Sequence, residues 1–272
     1  MQPDVQRRVQ RYGWDRGVDS YAAYWEPVLD RCARQTVSMA EPRIGGRVLD
    51  IACGGGAATQ ILAERVGPTG HVLGVDLSEK MTQRASDRLT GLGLNHATFA
   101  RMGMEQLDLP DDSQDTVTCV LGLMYAPKTL VAVQEMARVL RQGGRCAIAV
   151  WGRRDRCGWS EVFPIVDRRV TTEVCPMFFA MGVNEALIIA MEMAGFADIR
   201  EERISETLRF PDAESVCMAM FAGGPASLAY SRFDEVTRDE VHSELLTSVE
   251  QYRVGKAYDI PGEFVLAAGV KP

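Results

Sequence analysis

Apolar positions along the chain follow two rhythms. Short, nearly continuous apolar runs stand at 47–52, 71–76, 97–101, 115–121, 145–151, 198–204 and 263–270. Between them, apolar residues recur every three or four positions near 57–66, 78–91, 127–140 and 183–195. The runs predict strands covered on both faces, and the spaced stretches predict helices. Gly143-Gly144 closes the helix at 127–140, and Gly195 closes the one at 183–195. Such alternation predicts an α/β chain with a doubly wound, mostly parallel sheet and helices on both faces. No internal repeat or low-complexity linker interrupts it. Residues 1–40 and 205–262 stand outside the alternation. In the first, Tyr21, Trp25, Val28, Leu29 and Cys32 share one helical face. In the second, helix-like stretches lie near 212–222 and 235–253.

The most informative stretch is VLDIACGGGAATQIL at 48–62, followed by HVLGVDLS at 71–78. It predicts a buried strand, a glycine turn, a helix, and a second strand ending in Asp76. Gly54, Gly55 and Gly56 allow a tight turn and a close approach of ligand to backbone, with the amides of the following helix pointing into the turn. Asp76 stands 26 residues after Asp50, at the end of the next strand, where an acid can take both hydroxyls of a ribose. A phosphate loop would need Lys-Ser/Thr after the glycines, where this chain has Ala57-Ala58. A dinucleotide site would need a third spaced glycine, where this chain has Thr59. Asp50, inside the first strand, suits a ligand with a positive amino group near the turn. S-adenosylmethionine has that group, a ribose diol and no phosphate.

These residues resemble class I S-adenosylmethionine-dependent methyltransferases, in the ubiquinone/menaquinone-methyltransferase-like branch. VLDIACGGG looks like their Asp-x-Gly-x-Gly-x-Gly motif; Asp50, Gly54 and Gly56 match, and Ala52 replaces the first glycine. GVDLS at 74–78 looks like the second motif, residues 101–127 like the third and fourth, and residues 135–151 like the helix, turn and fifth strand. The match runs from about Arg47 to Trp151 and weakens at 194–204. The resemblance implies a seven-stranded Rossmann-like sheet with its last strand antiparallel. With the two segments outside the alternation, which carry no such resemblance, the chain is expected to divide into an N-terminal helical cap (1–40), an S-adenosyl-L-methionine-binding core (41–204), a lid and acceptor-binding insertion (205–262) and the final core strand (263–272). The implied cofactor-binding residues are Asp50, Ala52, Gly54, Gly56, Asp76, Leu77, Met104, Glu105 and Leu121. Asp50 orients the loop or meets the amino group, Asp76 binds the ribose, and Leu77 packs on adenine. Gly103 stands where an acid usually contacts the adenine amine, and Met104 and Glu105 are the expected substitutes.

The implied reaction is in-line transfer of a methyl group to a small-molecule acceptor. The alternative is a cofactor-binding protein of the same fold with non-methylating chemistry or an interaction role. Tyr24, Tyr125 and Trp151 are expected acceptor-wall residues, and His242 in the insertion is the candidate general base. His71 and His96 lie far from the expected mouth.

Composition adjusts this picture only at its edges. The net charge of −7 argues against a nucleic-acid partner. The sequence has no apolar run of about 20 residues for a membrane span. Its first 14 residues lack the apolar segment of a secretory signal. Seven cysteines form no CxxC pair, which fits reduced thiols in a cytoplasmic protein and no metal site. Cys157 and Cys175, in loop-like sequence, are the two with scope for thiolate chemistry. The oligomeric state and the acceptor atom are open at this level.

Overall fold

The computed structural model describes residues 3–171, 175 and 177–272. Met1 and Gln2 of the expected cap lie outside the described residues. The chain begins with α1 (Pro3–Ser20), a π-helical turn at Tyr21–Trp25 and α2 (Glu26–Ala40). The core follows as β1 (Arg47–Ile51), α3 (Ala57–Val66), β2 (His71–Asp76), α4 (Glu79–Gly91), β3 (Ala97–Arg101), β4 (Gln114–Val120), α5 (Thr129–Val139) and β5 (Leu140–Trp151). Next come α6 (Val162–Asp167), α7 (Ala186–Met193) and β6 (Ala197–Phe210). Then α8 (Ala213–Cys217), a second π-helical turn at Met218–Ala222, α9 (Ser227–Tyr230) and α10 (Glu235–Val249) lead to β7 (Arg253–Val254) and β8 (Ala257–Val270).

Among the described residues, eight strands form one sheet in the order β3-β2-β1-β4-β5-β8-β6, with β7 on β8. The first five pair in parallel, and β8 runs antiparallel to β5 and β6. In β1 every residue after Arg47 is buried, because helices cover both faces. Successive side chains alternate between those faces. Val48 packs with Leu62 and Val66 of α3, whereas Leu49 and Ile51 join a cluster that includes Val133 and Met136 of α5. The chain leaves β1 toward β2 and β3, then returns to β4 on the other side. That reversal opens a crevice at the carboxyl ends of β1 and β4, where such sheets bind ligands.

The sheet reaches further than the hydrophobic pattern predicts. The β6–β8 ladder runs from Ala197 opposite Val270 to Phe210 opposite Tyr258. Residues 205–210 and 257–262, expected in the insertion, therefore extend the two strands. β6 is an edge strand most of whose exposed positions are charged, among them Arg200, Glu202 and Arg209. Charges of that kind protect an edge from pairing with another chain, and they break the apolar run that marks a strand.

The two outlying segments meet. The Trp25 indole donates to the Ala219 carbonyl at 2.7 Å, and the Ser227 hydroxyl donates to the Gly13 carbonyl at 2.8 Å. Residues of α1 line the crevice, and residues of both segments line the hollow beyond it. All seven cysteines are free, and no helix among the described residues is long and apolar enough to cross a membrane.

Candidate cofactor and acceptor site

The crevice at the β1–β4 reversal holds a cavity lined by the glycine turn, the ends of β2 and β4, and α1. Ala52, Gly54, Asp76, Leu77, Met104, Glu105 and Leu121 all lie on its wall. Sequence-distant residues are thus brought together by parallel pairing, which aligns the carboxyl ends of neighbouring strands.

Asp76 ends β2. Its carboxylate accepts the Ser78 amide at 2.8 Å and the Gly54 amide at 3.1 Å. Burial raises its pKa from the usual carboxylate value to about 6, against those hydrogen bonds. Gly54 has φ +52°, and a side chain built there would meet nothing within 4 Å, so its open side faces free space. Leu77 and Gly103 face each other: a Cβ on Gly103 would sit 3.9 Å from the Leu77 side chain. The missing acid at Gly103 therefore leaves a slot against Leu77.

Ala52 and Leu121 carry φ values of +55° and +56°. This conformation costs an L-residue about 1–2 kcal/mol. It accounts for the glycine that related motifs place at position 52. Gly122 answers the strain from the other side, since a Cβ there would lie 2.3 Å from that of Ala52.

Asp50 and Gly56 support the turn from outside this cavity. Asp50 is 1% exposed and accepts the hydroxyls of Thr59 at 2.6 Å and Thr118 at 2.8 Å, which ties β1 to α3 and β4. Burial raises its pKa to about 6. Gly56 has φ +84°, and a Cβ there would lie 3.0 Å from that of Ala85, so it is a packing glycine between the turn and α4. Glu105 is on the wall, but its carboxylate accepts Arg7 from α1 and the Lys128 amide. It latches α1 across the mouth, so the expected contact with an adenine amine meets an occupied group.

Beyond Tyr21, Leu121 and Tyr125 the cavity continues into an aromatic chamber. Trp25, Trp151 and Trp159 line it with edge-to-face contacts; the Trp151 and Trp159 rings are 4.7 Å apart. Among the described lining residues there is no Asp, Glu, His, Lys or Arg. Burial pushes the Tyr21 and Tyr125 hydroxyls upward, which keeps both protonated.

Of the expected acceptor residues, Tyr125 and Trp151 line this chamber, and Tyr24 lines neither hollow. The π-helical turn brings Tyr21 and Trp25 inward, and Tyr24 packs beside them against the core. His242 is not at the site. It sits on α10, with Nε2 2.9 Å from the Tyr230 hydroxyl and its ring stacked on Phe221. It borders a shallow outer hollow with Asp239 and Leu246. Its position rests on stacking and one hydrogen bond, and it is not among the residues lining either hollow. Cys157 and Cys175 have thiols pushed up to about 12 by burial, so neither is poised as a thiolate. Among the described residues no cluster of three His, Cys, Asp or Glu side chains is arranged to hold a metal.

The hydrophobic pattern missed Arg7, Gln10 and Trp14, which α1 sets on the cavity wall, and Trp159 and Phe178 in the chamber. For α1 a signal existed: Arg7, Gln10, Trp14 and Tyr21 recur at helical spacing. Nothing local marks Trp159 or Phe178.

Residues 48–144 match the family model described as a methyltransferase domain. The chain is 33% identical over 152 residues to a demethylmenaquinone methyltransferase of Listeria monocytogenes, across 56% of this chain and 64% of that one. It thus spans less than two thirds of that curated relative's length. Its fold is similar to YcgJ of Bacillus subtilis, with TM-score 0.62, 18% identity and coverage of 89% of this chain and 98% of that one. It is also similar to phosphoethanolamine N-methyltransferase 2 of Haemonchus contortus, solved with S-adenosyl-L-methionine. There the TM-score is 0.61 and the identity 21%, over 95% of this chain and 57% of that one.

Proposed function

We propose that this chain, which carries a methyltransferase domain at residues 48–144, binds S-adenosyl-L-methionine in the crevice and transfers its methyl group to a flat, apolar small molecule in the aromatic chamber. One observation carries this reading: a nucleoside-type cavity ending in Asp76 opens directly into an aromatic chamber whose described lining residues include no Asp, Glu, His, Lys or Arg. The residues fit that cofactor. Asp76 offers a carboxylate for a ribose diol, the Leu77–Gly103 slot accepts a flat base, and the open side of Gly54 admits a ligand against backbone. Arg7, a cation on the cavity wall, is paired with Glu105, which suits a ligand without phosphate.

The bound cofactor supplies an activated methyl group on a neutral leaving group, so acid catalysis is unnecessary. The chain's part is to hold the acceptor in line, with the reacting atoms about 3 Å apart, and to exclude water. Aromatic faces favour the positive charge at that junction. With no Asp, Glu, His, Lys or Arg among the described residues of the chamber, the acceptor brings its own nucleophilicity on this reading, as a phenolate, enolate or similar ionised group. The relative above is named for demethylmenaquinone, a ring-bearing acceptor class that fits this chamber.

The test pairs calorimetry of cofactor binding with a screen of phenols of graded acidity, scored by release of S-adenosylhomocysteine. Turnover is expected to follow the ionised fraction of each phenol at fixed pH. Equal rates across that series would reject the base-free mechanism. Cofactor binding without release for any acceptor would favour the non-methylating alternative.

Residues 1–40 and 205–262 act on this reading as a cover, with Arg7–Glu105, Trp25–Ala219 and Gly13–Ser227 as its fastenings. Hydrogen exchange in α1 and at 211–256 is expected to slow when cofactor and acceptor bind, while β1 and β4 change little. Identical exchange with and without ligands would leave these segments as rigid packing only. Seven free thiols support placement in the reducing cytoplasm.

A further inference from the structure

The amino-acid sequence offers Asp50 as the partner for a cationic amino group near the glycine turn. In the folded chain both oxygens of Asp50 are engaged by Thr59 and Thr118. Another acid occupies the place above the turn. Glu26 opens α2 immediately after the π-helical turn, and its side chain is 11% exposed.

A second hollow lies on the far side of the turn. It shares Tyr21, Ala52, Gly54 and Leu121 with the cavity that Asp76 lines, so the two form one trough passing over the turn. Glu26, Gly55 and Arg88 are on its wall. One oxygen of Glu26 accepts the Arg88 guanidinium at 2.7 Å, and Arg88 also donates to the Gly55 carbonyl at 3.2 Å. The other oxygen, Oε1, is buried and has no hydrogen-bond partner. A Cβ on Gly55 would lie 2.5 Å from it, so this oxygen stands directly against the turn, where only glycine leaves room.

A buried carboxylate oxygen without a donor is unfavourable, and a ligand that brings a donor relieves the penalty. An ammonium group brings three donors and the opposite charge. Arg88, held beside the turn by the other Glu26 oxygen, sets a cation there for a carboxylate, while Arg34 on the same wall is paired with Asp30. Together these groups complement a zwitterion, the chemistry of a free α-amino acid.

We propose that Glu26 receives the α-ammonium group of the methyl donor's amino-acid tail, while Asp76 holds the nucleoside at the other end of the trough. This rests on the cofactor reading above. The competing role is a clasp: Glu26 and Arg88 would only fasten α2 to the turn.

Two ligands separate these roles. S-adenosylhomocysteine carries the amino-acid tail, and 5′-methylthioadenosine carries the same nucleoside without it. By calorimetry, Glu26→Gln is expected to weaken S-adenosylhomocysteine at least tenfold and to leave 5′-methylthioadenosine within twofold of wild type. Glu26→Asp, which keeps the charge but withdraws it, is expected to fall between and serves if the glutamine variant melts early. Equal losses for both ligands would assign Glu26 to the clasp, and no loss for either would remove it from the site; both outcomes overturn the proposal. Failure of the wild-type chain to bind either ligand would instead overturn the cofactor reading, and the proposal with it.

Discussion

Replacing Asp76 with alanine is expected to weaken S-adenosyl-L-methionine binding at least tenfold while the chain still folds. Asp76 spends one hydrogen bond on Gly54 and one on Ser78, at 3.1 and 2.8 Å, and its remaining acceptor capacity faces the cavity. Two charge-assisted hydrogen bonds to a ribose diol are worth about 1.5–3 kcal/mol, or roughly ten- to a hundredfold in affinity. The same group sets a pH dependence. Burial raises its pKa to about 6, so the carboxylate is ionised above that pH and protonated below it. Wild-type affinity should therefore be full near neutrality and decline as pH falls through about 6. Asp76→Asn, which cannot titrate, should bind weakly with a flatter profile. Calorimetry at pH 5 and pH 7.5 on the three proteins measures both effects. An affinity that neither substitution changes would remove Asp76 from the ribose site.

The glycines of the turn are expected to separate binding from stability. At Gly54, φ is +52° and the space beyond it is open. A Cβ there meets nothing within 4 Å, and valine bears the cost of a left-handed β-branched residue and fills the approach to the backbone. The expected result is lost cofactor binding with about 1–2 kcal/mol lost from stability. At Gly56, φ is +84° and a side chain would press on Ala85 and Leu89 at 3.0–3.1 Å. Valine at that position adds overpacking of about 1–3 kcal/mol to the same backbone cost, so its melting temperature should fall further than that of the Gly54 variant. Thermal melts and calorimetry on the pair decide it. Normal binding by Gly54→Val would place the crevice elsewhere, and equal stability of the two variants would discount the contact with α4.

The parts of the site legible in advance were those written in local geometry. A strand, three glycines and an acid closing the next strand specify a turn and its ligand-facing end within a few dozen residues. Asp50 stood at the right place in that pattern, but its partners did not. Thr118 lies on β4, and nothing in the sequence near Asp50 says that a hydroxyl from another strand will take its second oxygen. Glu105 was equally visible and equally incomplete, since the Arg7 that occupies it comes from α1. His242 drew notice by residue type and by its place in the insertion. Its surroundings, Tyr230 and Phe221, are set by how α10 packs.

The sequence by itself determined the α/β class, the bounds of β2, β3 and α3, and the position of the glycine turn. These follow from hydrophobic period and from backbone conformations that few residues tolerate, both of which act over short stretches. Only the tertiary structure decided how far β6 and β8 extend, because a charged edge strand hides its period and shows itself through its partner. It also decided which aromatic residues meet. Trp25, Trp151 and Trp159 come from segments more than a hundred residues apart at their extremes, joined in one chamber by the fold. It left one oxygen of Glu26 without a donor above Gly55. Such outcomes depend on which surfaces the whole chain buries together, a sum over distant contacts that no local stretch of residues contains.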